Sequence, residues 1–418
     1  MNSEARALLA AQQAEEENFP GGSESFRRNA LQNLKLKTVV KESHNSPVNC
    51  LSFNHVNELA DARLFATVGK DQATIYDNMH MGDYIGVVVH FHNVATEFAR
   101  GGELGVCAWV NADGWRPHPH GDLILAVAGD DHNISIISVV ESCVISLLEE
   151  HTSRVIGLCS CADQPAALAS LSEDGEVRVW DVAAGAVVGR ARCPGASSIC
   201  LSPDAAFAVV GTRSGAVKVL CADGGAAAED GGGRKRKGSP SAPRELAARP
   251  LAAEGGGGCH KDAVDCLELL ADGRLVSKSV DGQCHVWDLS EPRCIASWRV
   301  PSCSREHFSK FGIDIGGRFL AVGNSVGDLY IYDTLSGDRL SHYPPMKVHA
   351  PVKAVGVSPN CRHVLLVMGN GFIFRYQYLP PAPSDSDGGG GGSDTERTPK
   401  EEAARPEAEG DAAAGEAE

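Results

Sequence analysis

The chain has 418 residues, of which 43% are apolar and 22% are charged, close to the average of a soluble globular protein. Its formal net charge is −16, and the segment 381–418 alone carries eleven acidic and three basic residues. We see no basic face for direct binding of nucleic acid, and no apolar run of the roughly 18 residues that a membrane span requires. The fourteen cysteines stand singly, which excludes a disulfide scaffold and indicates buried free thiols. We expect no metal site and no cofactor.

The N-terminal segment 1–35 is expected to be a disordered tail. Within it, the residues from Ser3 to Glu17 predict a short helix with Ser3 as its cap, and this helix would fray without a partner. Two further stretches, the Gly/Ala-rich insertion 222–258 and the acidic tail 380–418, cannot bury a core and are expected to be disordered. We therefore expect a folded domain at 36–379, interrupted by one disordered insertion.

Within this domain the pattern is β throughout. One unit recurs, namely a strand of small apolar residues, a polar turn, and a strand that often ends in an aromatic residue and Asp. The copies are Leu64–Asp77, Leu125–Ile137, Leu168–Asp181, Ala208–Leu220, Leu275–Asp288, Leu320–Asp333 and Leu365–Tyr376. Most are about 40–45 residues apart, which is the period of a WD-repeat propeller blade. The sequence predicts an all-β, seven-bladed WD-repeat β-propeller, with Leu36–Val40 as the outer strand of the last blade.

Two copies carry the same set of four polar and aromatic residues. They are His151, Ser170, Asp174 and Trp180 in the third copy, and His260, Ser277, Asp281 and Trp287 in the fifth. Ser, His and Asp also make up a hydrolase triad, but an active site is needed only once. In WD repeats the indole N–H donates to the hydroxyl, and the imidazole links that hydroxyl to the turn carboxylate. We therefore predict structural tetrads, no catalytic residues and no enzyme activity.

Several segments are unusual among generic WD repeats, chiefly Cys107-Ala-Trp109 and Ser277-Lys-Ser279. Together with His44-Asn-Ser-Pro47, Phe65–Gly69 and Leu320–Asp333, they resemble the Polycomb family that includes EED (embryonic ectoderm development), extra sex combs and FIE. The resemblance runs in order along the chain from residue 36 to residue 376.

This resemblance implies a non-catalytic scaffold of a Polycomb repressive complex 2-like histone H3 lysine methyltransferase, acting in the nucleus in chromatin silencing. In the family, a helix of the Enhancer-of-zeste SET-domain methyltransferase wraps one face of the propeller, in a complex with other Polycomb subunits. The opposite face binds a trimethylated lysine of the histone H3 tail in an aromatic cage, whose ring faces attract the cation.

The aromatic residues of that cage are largely missing from this chain. In the alignment with the family, the cage phenylalanine falls on Asn49, the tyrosine before Cys107 falls on Gly105, and a tryptophan–tyrosine pair falls on His307 and Phe308. One ring does not enclose a cation. The expectation is that methyl-lysine reading is weakened or lost while assembly is retained.

Arg234, Lys235, Arg236 and Lys237 form a compact basic cluster inside the insertion, just before Ser239-Pro240. The cluster is either a nuclear import signal or a solvated run of charge in a loop, and the sequence does not choose between them. Because a propeller serves many functions, a generic WD-repeat adaptor remains an alternative. Such an adaptor would act in another nuclear or cytoplasmic complex, in RNA processing or ubiquitin ligation.

Overall fold

The computed structural model describes residues 3–42, 47–56, 63–80, 84–95, 101–116, 122–161, 163–222, 243–251, 260–345 and 349–380. These residues form two α-helices and 28 β-strands. The helices are α1 (Ser3–Glu17) and α2 (Gly22–Gln32), and strand β1 (Leu34–Lys41) follows them. Neither of these helices is long and apolar enough to cross a membrane.

The other strands follow in successive groups. Strands β2–β5 are Cys50–Phe53, Leu64–Gly69, Gln72–His80 and Tyr84–His92, and β6–β9 are Leu104–Val110, Ile124–Gly129, Ile134–Ser138 and Cys143–Leu148. Strands β10–β13 are Val155–Ser160, Ala167–Ser172, Glu176–Asp181 and Ala186–Arg192, and β14–β17 are Ala196–Leu201, Phe207–Thr212, Val217–Ala222 and Arg244–Pro250. Strands β18–β21 are Val264–Leu269, Arg274–Ser279, Gln283–Asp288 and Arg293–Arg299, and β22–β25 are Gly312–Ile313, Phe319–Gly323, Leu329–Asp333 and Arg339–Tyr343. The last three, β26–β28, are Val352–Val357, His363–Met368 and Phe372–Tyr378.

Within the described residues these strands form six hydrogen-bonded sheets, five with four strands and one with eight. Four of the smaller sheets are β2–β5, β6–β9, β18–β21 and β22–β25, and the fifth combines β26–β28 with β1. Strand β1 pairs antiparallel with β28, from Leu34↔Tyr378 to Lys41↔Phe372. The N-terminal strand therefore closes the last sheet, as its place before the first repeat predicts, and the fold is an all-β propeller.

The eight-stranded sheet differs from the expected series of separate four-stranded blades. It consists of two antiparallel series, β10–β13 and β14–β17, which join where β13 and β17 pair in parallel through Gly189↔Arg244 and Arg190↔Glu245. Strand β17 also pairs with β16, so it lies between β13, the outer strand of the first series, and β16 of its own series. Hydrogen bonding thus gives five separate blades and one joined sheet rather than seven separate blades.

The position of a strand in its sheet sets its burial. The second strands β3 and β7 are buried along their whole length, whereas the outer strands β5 and β9 are largely exposed. Because neighbouring sheets cover both faces of a second strand, a run such as Ile124–Gly129 contains no alternating polar residues. The apolar core therefore lies between the sheets.

The first strands of the sheets meet around one axis. Contacts join β2 to β6, β6 to β10, β10 to β14, β14 to β18, β22 to β26 and β26 to β2. Between β18 and β22, the Ser309 backbone N–H donates to Asp265 Oδ2 at 3.1 Å. Five of these first strands, β2, β6, β10, β14 and β18, together with Lys310 and Phe311, line a cavity of about 380 Å³, which we call the axial cavity.

The expected disorder of the N-terminal segment 1–35 is not what the structure shows. Helix α2 buries Phe26, Ala30 and Leu31 against the last two sheets. The end of α1 is tied to α2, since Arg27 Nε donates to Glu16 Oε1 at 3.0 Å. The expectation was wrong because an isolated helix frays, whereas here the propeller supplies the partner.

The insertion 222–258 is also more ordered than expected, because Arg244–Pro250 forms strand β17. This segment pairs with β16 from Lys218↔Pro250 to Ala222↔Leu246. Its alanine-rich composition does not predict a strand, and the pairing partner decides the conformation. Residues 223–242 and 252–258 of the insertion, and residues 381–418 of the acidic tail, lie outside the described residues.

Candidate functional site

The four positions aligned with the methyl-lysine cage lie near the starts of first strands. Asn49 directly precedes β2, Gly105 is the second residue of β6, and His307 and Phe308 precede β22. Since the first strands of a propeller run in the same direction along its axis, these positions share one end of the axial cavity. We call this end the cage face.

The side chain and backbone of Asn49 make hydrogen bonds with neighbouring strands. Its side-chain amide donates to Leu104 O at 2.9 Å and to Glu103 Oε1 at 2.8 Å. Its backbone N–H donates to Val68 O at 2.7 Å. The Asn49 amide therefore joins the first sheet to the second, at the position that the alignment with the family pairs with a cage phenylalanine.

A cationic side chain lies beside Gly105. A Cβ atom added to Gly105 would lie 3.6 Å from Nη2 of Arg154. The Arg154 guanidinium is 40% exposed and pairs with Asp130 Oδ1 at 3.0 Å. The place beside Gly105 is therefore occupied by a surface ion pair rather than by an aromatic ring.

His307 and Phe308 lie in a segment that a buried ion pair holds in place. Lys278 Nζ donates to Asp265 Oδ2 at 2.6 Å and to Ser309 O at 3.0 Å, and the Ser309 N–H donates to the same carboxylate oxygen. The side chains of Lys278 and Asp265 are 1% and 0% exposed. Phe308 is 53% exposed, and in the part of the chain that the structure describes it has no ring-to-ring contact.

In the third repeat the structure brings three members of the tetrad together. Trp180 Nε1–H donates to Ser170 Oγ at 2.8 Å, and His151 Nε2 lies 2.7 Å from the same oxygen. His151 Nδ1 faces Arg178 Nη1 at 2.6 Å, whereas Asp174 accepts a hydroxyl hydrogen bond within its own turn. The expected link from the imidazole to Asp174 is therefore wrong, because an arginine occupies that side of the ring.

In the fifth repeat, hydrogen bonds link all four members of the tetrad, and a second serine takes part in the series. Trp287 Nε1–H donates to Ser277 Oγ at 2.8 Å, and His260 Nε2 lies 2.7 Å from that oxygen. His260 Nδ1 then meets Ser279 Oγ at 3.0 Å, and Ser279 donates to Asp281 Oδ1 at 2.6 Å. The link from imidazole to carboxylate thus passes through a second serine and is not direct, as it was expected to be.

The geometry of both tetrads is consistent with a structural role and not with hydrolysis. Ser170 and Ser277 are both 0% exposed, and each hydroxyl oxygen accepts a hydrogen bond from an indole. Desolvation by burial lowers the pKa of His151 to about 4 and that of His260 to about 3, so both imidazoles are neutral at pH 7. A seryl nucleophile must reach its substrate, and these two cannot.

A polar cluster in the axial cavity was missed by the sequence reasoning. Five first strands each contribute a cysteine to the cavity lining: Cys50, Cys107, Cys159, Cys200 and Cys266. The Lys310 ammonium lies 3.4 Å from Cys50 Sγ, although the two residues are 260 positions apart in the chain. The available signal was the recurrence of a cysteine in five successive first strands, but the sequence alone cannot locate the lysine.

The basic cluster Arg234, Lys235, Arg236 and Lys237 lies outside the described residues. Within the described ranges, no group of three or more His, Cys, Asp or Glu side chains is arranged to hold a metal ion.

Comparison with known proteins identifies both the repeat and relatives of the chain. Residues 141–181 match the family WD domain, G-beta repeat. Polycomb group protein FIE1 of Zea mays is 28% identical over 137 residues, which cover 29% of this chain and 29% of that relative. Polycomb group protein FIE2 of Zea mays is 24% identical over 362 residues, which cover 79% of this chain and 87% of that relative. The matched repeat includes β10–β12 and the first tetrad.

Proposed function

We propose that this WD-repeat protein, which is similar to the Polycomb group proteins FIE1 and FIE2, is a non-catalytic scaffold of a Polycomb repressive complex 2-like histone H3 lysine methyltransferase. In this proposal it acts in chromatin silencing by docking an Enhancer-of-zeste-type catalytic subunit beside other Polycomb subunits. The observation that carries the proposal is the similarity to FIE2, which covers 79% of this chain and 87% of that relative.

We infer that the propeller has seven blades, as the repeat count predicts. In this interpretation the eight-stranded sheet is two blades, because its halves are each a complete antiparallel series and only two residue pairs join them. The first strands of both halves, β10 and β14, take separate places around the axis. A ring of seven blades offers two broad faces and a rim, which suits a scaffold that holds several proteins.

The cage face supports the second part of the proposal, that methyl-lysine reading is weakened or lost. The four aligned positions are Asn49, whose amide is hydrogen-bonded to Leu104, Gly105, which lies beside Arg154, His307, and Phe308, which is the single exposed aromatic ring among them. Cation–π attraction of a quaternary ammonium requires ring faces around it. The histone H3 tail would then bind this chain weakly, and the contribution of the chain to the complex would be assembly.

A nuclear location follows from the proposed role. The cluster Arg234, Lys235, Arg236 and Lys237 is the candidate import signal. The mildly acidic propeller and its acidic tail agree with partners that are proteins rather than nucleic acid.

We expect the tagged full-length chain, purified from nuclei of its own organism, to bring down a SET-domain methyltransferase in near-stoichiometric amount. The physical reason is that a large scaffold interface survives purification, whereas transient contacts do not. Mass spectrometry of the eluate is the measurement, and a tagged unrelated WD-repeat propeller is the control. Recovery of RNA-processing or ubiquitin-ligase subunits in place of the methyltransferase would contradict the proposal and favour a generic adaptor.

A further inference from the structure

The axial cavity holds a buried cation whose direct partner is sulfur. Lys310 Nζ donates to Cys50 Sγ at 3.4 Å, and within the described residues no carboxylate oxygen lies within 4.0 Å of this nitrogen. The side chain of Glu268 also lines the cavity, but it lies beyond ion-pair distance and desolvation by burial raises its pKa to about 7. A buried ammonium requires a compensating negative charge. The Cys50 thiolate is the group placed to supply it.

The surroundings of Cys50 favour its thiolate. The proximity of the Cys107 thiol, followed by the positive charge of Lys310, lowers the pKa of Cys50 well below its usual range against the effect of burial. The charge of Cys50 in turn raises the pKa of Lys310. The other cavity thiols differ, since burial raises the pKa of Cys159, Cys200 and Cys266. One thiol in five is therefore activated.

We propose that Cys50 and Cys107 form a peroxide-reactive thiol pair in the axial cavity. Cys50 supplies the attacking sulfur, Lys310 stabilises its anion, and Cys107 lies on the neighbouring first strand as the second thiol. The cavity of about 380 Å³ has ample space for a hydroperoxide, a molecule not much larger than water. This site is independent of the proposed scaffold function.

The reaction balances with a hydroperoxide as the oxidant. The Cys50 thiolate attacks one peroxide oxygen, so an S–O bond forms, the O–O bond breaks, and the hydroxide that leaves takes a proton to become water. The sulfur of Cys107 then attacks the sulfenic sulfur, so an S–S bond forms and a second water leaves. Two thiols are oxidised and one hydrogen peroxide is reduced to two waters. The product is a covalent link between β2 and β6 on adjacent blades.

Alkylation of the folded, reduced full-length chain tests the activated thiol. Short pulses of iodoacetamide at pH 7, followed by peptide mapping, are expected to modify Cys50 at least about tenfold faster than Cys159 and Cys200, because only the thiolate reacts. Lys310→Met should slow the alkylation of Cys50 by about tenfold or more, which corresponds to a rise of at least one unit in the pKa of its thiol. The control variant Lys37→Met, at an exposed position of β1, should leave this rate unchanged. Equal rates at all cavity thiols in the unmodified chain would overturn the proposal even if Lys310→Met failed to fold.

Treatment with hydrogen peroxide tests the pair. We expect a Cys50–Cys107 disulfide in the folded chain, detected as a linked peptide. In Cys107→Ser, which keeps a hydroxyl donor, the oxidation should stop at a Cys50 sulfenic acid that dimedone traps. Cys200→Ser should leave the disulfide unchanged. Oxidation that occurs only after unfolding in urea, or that links other cysteines first, would contradict the proposal.

Discussion

Replacement of Phe26 by alanine is expected to lower the free energy of unfolding by about 3–5 kcal/mol, the range for deletion of a fully buried aromatic ring. The Phe26 side chain is 0% exposed, and its ring packs edge-on against Phe19 and Tyr378 at centroid distances of 5.5 and 5.7 Å. The Arg362 guanidinium lies 4.7 Å above the same ring. The mutation leaves a cavity between α2 and the last sheet, and chemical denaturation of the purified chain measures the loss.

Gln32→Ala is the matched control, since Gln32 is exposed on the same helix and alanine is a good helix former. We expect its denaturation midpoint to stay close to that of the unmodified chain. A Phe26→Ala midpoint that equals the control would show that α2 does not pack on the propeller. A limited protease digestion gives a second readout, because an undocked helix is cut within the first 33 residues.

The second large effect is expected at the buried ion pair beside the cage face. Lys278→Met should destabilise the chain by about 3–5 kcal/mol, because it leaves the 0% exposed Asp265 carboxylate without its cation. It also removes the hydrogen bond to Ser309 O, which anchors the segment that carries Phe308. Thermal and denaturant unfolding measure the loss, and hydrogen exchange at residues 301–309 should increase.

The double variant Lys278→Met/Asp265→Leu is the control for this prediction. Removal of both charges leaves no unpaired ion, so the double variant should be more stable than Lys278→Met alone. The 2.6 Å separation of Lys278 and Asp265 indicates that the two residues are coupled. A stability loss in the double variant equal to the sum of the losses in Lys278→Met and Asp265→Leu would contradict this coupling. Arg293→Met, at an exposed surface pair, should change stability by less than about 1 kcal/mol.

Most of the fold could be predicted because its signals are local. Each copy of the repeat carries its own strand pattern and turn, and the strand ranges observed in Leu168–Asp181 follow from those few residues. Helix α2 could not be predicted, because its three buried residues acquire a partner only when the last sheets form. Strand β17 was missed for the same reason, since its alanine-rich segment becomes a strand by pairing with β16.

The candidate site was predictable in its composition and not in its contacts. Alignment with the family pointed to Asn49 and Gly105, but it could not predict the contacts of Asn49 with Leu104 or the place of Arg154 beside Gly105. The partner of the His151 imidazole was mispredicted, because Arg178 is a repeat-specific residue that the general WD pattern does not include. The contact of Cys50 with Lys310 depends on closure of the ring, which brings residues of the first and sixth repeats to the same cavity.

Calorimetric titration of a trimethyl-lysine histone H3 peptide into the full-length chain tests our proposal that this propeller serves assembly while its methyl-lysine reading is weakened or lost. The unmethylated peptide is the control. We predict similarly weak binding of the two peptides, because the aligned cage positions hold Asn49, Gly105 and His307 and only one aromatic ring, Phe308. A Kd of about 1 μM for the methylated peptide alone, equivalent to about −8 kcal/mol, would contradict the account.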